Sequence, residues 1–318
     1  MSDFINKIGC ILMAADAAIE DHGEDSFCAS IFDNSAIVGV FDGCGGLGSR
    51  LLPKLDNHTS AYIASRIVSG AVYDWAKEND SVSWTSGSAM TKSIDAKIKE
   101  AFSVAAPAVA GGLKMRGTMV RELPTTCAFA VVRDAESGVD IHSVWAGDSR
   151  VYFLSEDGLY QVTNDDVDDE DALSNLTNDG SLNNVISSDG NYVLHSCVHN
   201  ITAPVVVIAA TDGCFGYLNT PMEFEHAILK AILEAGSMSE IQQNLKTFFA
   251  SVAGDDYSFG MASFFCEDFS AMQNLFRKRY DELVEKYINP LSDRSPENVQ
   301  KLWAAYKPEY ETFLAGKE

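Results

Sequence analysis

Four short, strongly apolar runs of this chain each have an aspartate at one end. The acids are Asp42 after VGVF, Asp148 after HSVWAG, Asp212 after VVVIAAT, and Asp255 shortly before the final run YSFGMASFF. Apolar runs of about four to eight residues that are bounded by turn residues are typical of buried strands. A single aspartate beside glycine at a strand end is ordinarily a turn former. Four of them, each beside a buried strand, predict carboxylates that converge at one rim if the strands share sheets.

Strand-like and helical stretches alternate in blocks along the chain. The first two strands are predicted to form a hairpin around the dipeptide NS, and the three strands separated by DAESG and GDS an antiparallel meander. Blocks of strands separated by pairs of helices indicate an α+β layered domain with sheets at its centre. The predicted strands span 26–33, 36–42, 126–133, 139–146, 150–155, 204–210 and 258–265, and the predicted helices lie within 56–110 and at 220–235 and 237–252.

From Asp268 onward the chain has a helical pattern. The stretch FSAMQNLFRKRYDELVEKYI is amphipathic, and SPENVQKLWAAYKPEYETFL opens with a Ser-Pro-Glu helix start. We therefore predict one domain over residues 1–267 and a helical C-terminal extension over 268–318. The extension either packs on the domain or serves as a docking or regulatory element.

The segment 163–200 is polar and acidic and has no sustained period. It includes DDVDDED at 165–171, whose spacing lacks the glycine and the final glutamate of an EF-hand calcium loop. We predict a solvated, flap-like excursion, and its acids are candidates for recognising a basic segment of a partner.

The acidity of the chain disfavours some classes of partner, and its cysteines favour one cellular compartment. The chain has 46 acidic and 23 basic residues, for a formal net charge of −23. Such a surface repels polyphosphate backbones, which disfavours a nucleic-acid partner.

Seven cysteines without a CxxC pair predict reduced thiols in the cytoplasm. No apolar run reaches the ~18 residues that cross a bilayer, and the N-terminal stretch lacks signal-peptide features, so we expect a mature protein without a membrane partner.

Clustered carboxylates favour a particular kind of ligand. They repel one another and raise each other's pKa unless a cation neutralises them. Oxygen ligands without histidine or cysteine suit Mg²⁺ or Mn²⁺ rather than zinc. Glu24 and Asp25 add two acids at the start of the first predicted strand, and Gly43 leaves room for its backbone carbonyl to join a coordination shell. Two such ions that share Asp42 would activate a water molecule for in-line attack on phosphorus.

Six blocks of the sequence resemble, in order, the motifs of the metal-dependent serine/threonine protein phosphatases of the 2C type. The blocks are GEDSF, VGVFDGCGG, TTCAFAVV, AGDSRVYFLSEDGLYQVTND, ATDGCFGYL and GDDYSFGMASFF, and together they cover roughly residues 10–266. The resemblance implies a four-layer α-β-β-α sandwich in which helices flank two central antiparallel sheets. It also implies hydrolysis of phosphoserine or phosphothreonine in proteins by direct attack of a metal-bridging hydroxide.

The resemblance further implies which residues hold the two ions, Mn²⁺ or Mg²⁺. Asp42 would bridge both ions, and Gly43 would contribute its carbonyl oxygen. Asp212 and Asp255 would complete the shell of one ion. By the same resemblance, Asp42 and Asp212 are the catalytic acids.

For the remaining acids, the resemblance implies roles at the second ion and at a third ion. Glu24 and Asp25 would hold water around the second ion. Asp148 would join the acid of the TDG block at a third ion. Thr126 and Ser149 are expected to support the strands rather than take part in the chemistry.

Two positions depart from the family pattern. Cys44 stands where many eukaryotic members have a histidine that protonates the leaving alkoxide, and a thiol with a pKa of ~8.5 is a weaker candidate proton donor. Bacterial relatives often have methionine there, and Cys44 is disfavoured as a nucleophile. Glu20 stands where members usually have an arginine that binds the substrate phosphate. His22, Arg50 and Lys54 are the candidates to replace it.

These departures leave alternative functions open. The first is an active phosphatase whose partner is a phosphoprotein substrate. The second is a catalytically weak or inactive phosphatase-like module that holds metal and binds a phosphoprotein or a regulatory partner. A third interpretation places the functional surface on the C-terminal helices, which would dock a partner while the sandwich serves as a scaffold.

Overall fold

The computed structural model describes residues 4–18, 23–84, 86–109, 122–168, 171–177 and 181–316. The strands in these ranges are β1 Ile8–Asp16, β2 Ser26–Ile31, β3 Ser35–Phe41, β4 Leu51–Leu52, β5 His58–Thr59, β6 Cys127–Asp134, β7 Val139–Ala146, β8 Arg150–Leu154, β9 Leu159–Gln161, β10 His195–Ile201, β11 Val205–Ala210 and β12 Tyr257–Phe264. The α-helices are α1 Ser60–Glu78, α2 Gly87–Val109, α3 Ser174–Thr177, α4 Asp212–Phe215, α5 Pro221–Glu234, α6 Met238–Val252, α7 Phe269–Leu283 and α8 Pro296–Tyr310.

Ten of the strands in the described ranges form two antiparallel sheets of five. The first sheet has the order β1-β12-β11-β8-β9, and the second has the order β10-β7-β6-β3-β2. The short strands β4 and β5 pair with each other. The predicted hairpin is confirmed, because β2 and β3 pair with Ser26 opposite Phe41.

The side chains of β3 show how the layers are built. Successive side chains of a strand point to opposite faces of its sheet. Val38 and Val40 belong to the apolar cluster between the two sheets, whereas Ile37 and Phe41 belong to the cluster under α1 and α2. All seven residues of β3 are buried, so each face of the strand packs against another layer.

Helices cover the outer face of each sheet. The helices α1 and α2 pack on the second sheet, and α5 to α8 pack with side chains of the first sheet in a separate apolar cluster. The predicted four-layer α-β-β-α sandwich with a C-terminal helical extension is therefore confirmed.

The predicted meander over 126–155 is wrong in its last strand. The strands β6 and β7 pair as expected, but β8 pairs with β11 and β9 in the other sheet. Gly147 lies in the connection with a φ of +97°, a left-handed conformation that glycine adopts without steric cost. The chain therefore crosses from one sheet to the other at residues 147–149.

The segment 163–200 is less irregular than its composition indicates. Its last part begins β10, which pairs with β7 along His195–Ile201 at the edge of the second sheet. The described acids of 165–171 bind partners inside the chain. The pairs are Asp165 with Arg150, Asp166 with His195, Asp168 with Asn183, and Asp171 with Lys307. Recognition of a basic partner by this segment stays a prediction.

The C-terminal extension is docked on the domain by polar contacts in buried surroundings. Arg279 of α7 forms a two-pronged ion pair with Glu225 of α5, with Nε–Oε1 at 2.6 Å and Nη2–Oε2 at 2.9 Å. The Tyr306 hydroxyl of α8 donates to the same carboxylate at 2.6 Å. Both side chains of the ion pair are almost inaccessible to solvent, at 6% and 0% exposure. The extension and α5 therefore share one buried network.

Each of the seven cysteines is a free thiol, and five of them are buried. None of the helices in the described ranges combines the length and the apolar character that crossing a membrane requires.

Candidate active site

The register of the second sheet places Asp25 and Asp42 side by side. Asp25 precedes β2 and Asp42 follows β3, and the adjoining residues Ser26 and Phe41 face each other across the two strands. Both acids therefore lie at the same end of this sheet.

The register of the first sheet brings three more acids to one end. Ala210, the last residue of β11, faces both Arg150 of β8 and Phe259 of β12. Asp148 precedes β8, Asp212 follows β11, and Asp255 precedes β12. The end of β11 and the beginnings of its two neighbours therefore meet at one edge.

Hydrogen bonds join the two groups of acids. The Thr211 hydroxyl, at the end of β11, donates to Asp25 Oδ2 at 2.9 Å and so links the two sheets. The Thr126 N–H donates to the carbonyl oxygen of Asp42 at 2.8 Å, and the Thr126 and Ser149 hydroxyls are 2.7 Å apart. Thr126 and Ser149 therefore hold the strand ends in place, in a structural role.

The pKa values of the carboxyl groups agree with this convergence. Burial raises the pKa of Asp42 well above its usual value, and the charges of Asp25, Asp212 and Asp148 raise it further. Burial, followed by the charge of Asp212, raises the pKa of Asp25 to about 7. The Asp25 and Asp42 carboxyl groups also act directly on each other's pKa. Acids from both sheets therefore share one rim.

Burial and neighbouring charges also raise the pKa values of Asp148 and Asp212, which lie at the end of the first sheet. Burial, followed by the charge of Asp255, raises the pKa of Asp212 to about 6. Burial and the charge of Asp212 hold the pKa of Asp148 well above its usual value. The Oδ1 atom of Asp148 is buried and has no hydrogen-bond partner in the part of the chain that the structure describes. This rim therefore contains a buried carboxylate oxygen, Asp148 Oδ1, that no described protein group binds.

Asp256 is a site residue that sequence reasoning missed. Its Oδ2 accepts the Glu24 N–H at 2.6 Å, and its Oδ1 accepts the Ala18 N–H at 2.8 Å. The preceding Asp255 is exposed and accepts the Asp256 N–H at 2.8 Å. Asp256 therefore positions the segment that carries Glu24 and Asp25. The sequence GDD contains both Asp255 and Asp256, so the second acid was visible in the sequence. It was not predicted as a site residue because Asp255 alone completed the predicted set of metal ligands.

Gly43 is required by a close approach of backbone. A Cβ atom at this position would lie 2.7 Å from the carbonyl oxygen of Glu24 and 2.8 Å from that of Ala61. Only glycine allows this contact without displacement of the backbone. The Glu24 carboxylate accepts a hydrogen bond from the Thr59 hydroxyl, which holds it beside the rim.

The donor set at the rim fits a hard divalent cation. It consists of carboxylate oxygens, and one of them is buried without a partner, a combination that suits Mg²⁺ or Mn²⁺. Within the described ranges, no three side chains of His, Cys, Asp or Glu are arranged around a common point as ligands. The carboxylates would therefore have to turn toward a shared ion to bind it.

The candidate phosphate-binding cations lie in different places. Arg50 donates to the carbonyl oxygen of Val109 at 3.3 Å, and Lys54 donates to that of Pro107 at 3.4 Å, both at the C-terminal end of α2. His22 and Glu20 lie outside the described residues. Among the contacts of the described residues, neither Arg50 nor Lys54 binds an acid of the rim.

Cys44 is buried directly after the Asp42–Gly43 pair. Its Sγ lies 3.9 Å from the carbonyl oxygen of Asp42. Burial raises the pKa of the thiol well above its usual value, and the charges of Asp42, Asp148 and Asp212 raise it further. Cys44 is therefore a weaker acid than an ordinary cysteine.

Solved structures of bacterial serine/threonine phosphatases share this fold. Stp1 from Staphylococcus aureus matches with 15% identity and a TM-score of 0.58, over 81% of this chain and 96% of that one. PstP/Ppp from Mycobacterium tuberculosis matches with 18% identity and a TM-score of 0.53, over 80% of this chain and 98% of that one. A structure of the PstP catalytic domain in complex with two manganese ions matches with 16% identity and a TM-score of 0.52, over 81% and 98%.

The comparison with curated proteins found no significant match. A sequence model of the family described as Protein phosphatase 2C matches residues 19–250, which contain both sheets except β1 and β12 and all the acids at the rim except Asp255 and Asp256. The chain therefore belongs to the protein phosphatase 2C family.

Proposed function

We propose that this chain is an active, metal-dependent protein phosphatase that hydrolyses phosphoserine or phosphothreonine monoesters in a protein substrate. One observation carries the proposal, namely that carboxylates from both sheets meet at one rim and raise each other's pKa. Such a cluster suits cations, and hydrolysis of a phosphomonoester is chemistry that bound cations assist. Membership of the family supports the same reaction.

The rim would hold two Mn²⁺ or Mg²⁺ ions. When bound, such ions supply an activated water molecule as nucleophile and neutralise charge on the phosphoryl group. Asp42, which interacts with acids of both sheets, would be a ligand of both ions, and Gly43 would contribute its carbonyl oxygen. Asp212 and Asp255 lie together on the first-sheet side and would serve one ion.

The other acids of the rim have separate tasks. Glu24 and Asp25 would hold the water shell of the second ion, and Asp256 keeps their segment in position. Asp148, with its unpartnered Oδ1, would hold a third ion together with Asp212.

Chelation gives the test of this proposal. We expect the protein to release phosphate from a phosphoserine or phosphothreonine peptide at millimolar Mn²⁺, to lose this activity with a chelator, and to regain it when Mn²⁺ is restored. No release at millimolar Mn²⁺, or release that a chelator leaves unchanged, would contradict the proposal.

A second candidate is a non-catalytic module that binds metal and a phosphoprotein. The weakly acidic Cys44, at the position that supplies a proton donor in many relatives, favours it. Calorimetry separates the two candidates, because metal binding without any turnover supports the module.

Replacement of Cys44 by alanine is expected to change kcat by less than about tenfold. A general acid contributes about 100-fold or more, but a buried thiol whose pKa is raised gives up its proton poorly. The measurement is kcat against pH for phosphopeptide hydrolysis by both proteins. If the variant lost about 100-fold in kcat together with the alkaline limb of its pH profile, Cys44 would be the proton donor after all.

A further inference from the structure

A cavity of about 430 Å³ lies beside the acidic rim. Its walls include Asp25, Gly23, Tyr62 and Arg66. Asp25 belongs to the cluster of acids, so the cavity opens next to the proposed reaction centre. A ligand that reacts at the rim would have room here.

A phosphoryl group that enters this cavity meets mostly negative charge. The chain has a net charge of −23, and the acids Asp16 and Asp25 line the cavity. A cationic side chain that forms charge-assisted hydrogen bonds to the dianion would offset part of this repulsion. Among the described residues that line the cavity, Arg66 provides the one lysine or arginine charge.

The Arg66 side chain is held in a defined orientation. Its Nη1 donates to the carbonyl oxygen of Glu24 at 3.2 Å, and its Nη2 donates to that of Gly23 at 3.0 Å. The guanidinium carbon lies 3.3 Å from the centre of the Tyr62 ring. These contacts fix the plane of the guanidinium group before any ligand arrives, which lowers the entropic cost of binding.

The guanidinium retains hydrogen-bonding capacity. It carries five N–H donors, and its described contacts are made by Nη1 and Nη2. Nε and the second hydrogen of Nη2 remain for an anion in the cavity. An arginine edge with two donors matches two oxygens of a phosphoryl group.

We propose that Arg66 binds the phosphoryl group of the substrate in this cavity, an inference that rests on the proposed function. Because the same guanidinium holds the backbone of Gly23 and Glu24, it sets the distance between the bound phosphoryl group and the acids of that segment. The cation that recognises phosphate thus comes from the first turns of α1, whereas Arg50 and Lys54 contact the end of α2.

Substitution of Arg66 gives the kinetic test. We expect Arg66→Gln to raise the KM for a phosphoserine peptide, and the inhibition constant of inorganic phosphate, by about 10- to 100-fold, the loss typical of hydrogen bonds to a charged group. Arg66→Lys should recover only part of this, since an ammonium group cannot form the fork. Lys97→Gln, which removes a half-buried lysine that pairs with Glu78 on the helices away from the cavity lining, is the matched control and should leave both constants unchanged.

Two outcomes would overturn the inference. The first is an Arg66→Gln variant whose KM and phosphate inhibition are unchanged while its Mn²⁺ affinity or Tm falls, because Arg66 would then act only as a clamp for the backbone. The second is an Arg50→Gln variant that raises the KM while Arg66→Gln does not.

Direct binding separates this inference from the proposed function. If the wild-type protein shows no turnover, the proposed function fails, but O-phosphoserine can still be titrated calorimetrically in the presence of Mg²⁺. Binding by the wild type that weakens at least about tenfold in Arg66→Gln supports the inference. Equal affinity in both proteins, or no binding by the wild type, overturns it.

Discussion

Replacement of Asp42 by asparagine is expected to lower kcat for phosphopeptide hydrolysis by about 1,000-fold or more. Asparagine keeps the volume of the side chain but removes the charge that would bridge two cations, and metal-assisted charge stabilisation is worth several kcal/mol. The measurement is phosphate release at saturating Mn²⁺, together with calorimetric titration of the metal.

The stability of Asp42→Asn shows whether a loss of activity in this variant comes from unfolding. Because the folded-state pKa of Asp42 is raised, the folded protein loses stability as pH rises and this carboxyl ionises in the absence of metal. Asp42→Asn removes that loss, so the metal-free variant should have a Tm at pH 8 that equals or exceeds the wild-type value, and the difference should shrink toward pH 4. Retention of activity within tenfold of the wild type would contradict the assigned role.

Replacement of Arg279 by methionine is expected to lower the free energy of unfolding by about 3–5 kcal/mol, the cost of leaving a buried charge without its partner. Glu225 is fully buried and would lose both bonds from the guanidinium group. Tyr306 alone would then hydrogen-bond the carboxylate. Chemical denaturation monitored by circular dichroism measures the change.

A neighbouring lysine on the same helix serves as the matched control for Arg279. The Lys278 side chain is 87% exposed, so Lys278→Met should change the free energy of unfolding by less than about 0.5 kcal/mol. Adding Glu225→Gln to Arg279→Met should restore part of the lost stability, because it removes the unpaired charge. Equal stabilities of Arg279→Met and Lys278→Met would show that the extension does not depend on this ion pair.

The parts of the fold that sequence predicted well are those that local pattern determines. The run that became β3 is apolar throughout, and both faces of that strand are buried. The hairpin with β2 follows from a short polar turn between two apolar runs. The helices α1, α2, α5 and α6 appear where apolar residues recur at helical spacing.

The parts that sequence did not predict depend on pairings between distant segments. The turn after β7 has the residues of a hairpin, and only the positive φ of Gly147 and the packing of two sheets carry β8 to the other layer. The edge strand β10 has alternating exposure and a polar composition, so it resembles loop. The strand β1 pairs with β12, whose residues come about 250 positions later in the chain.

In the candidate site, too, the sequence predicted the residues that local pattern marks and did not predict a residue that depends on packing. Asp42, Asp148, Asp212 and Asp255 could be found because each lies beside an apolar strand, where an acid is conspicuous. Arg66 could not be found in this way, since it is one of several polar residues on an amphipathic helix. Its position beside the acids becomes visible only when α1 packs on the second sheet.

Anomalous diffraction from crystals grown with Mn²⁺ tests the central claim most directly. The convergence of carboxylates from two sheets predicts two manganese peaks next to the Asp42 carboxylate, with Asp212 and Asp255 turned toward one of them. Manganese peaks that avoid Asp42, or the lack of any peak at this rim in protein that hydrolyses a phosphopeptide, would contradict it.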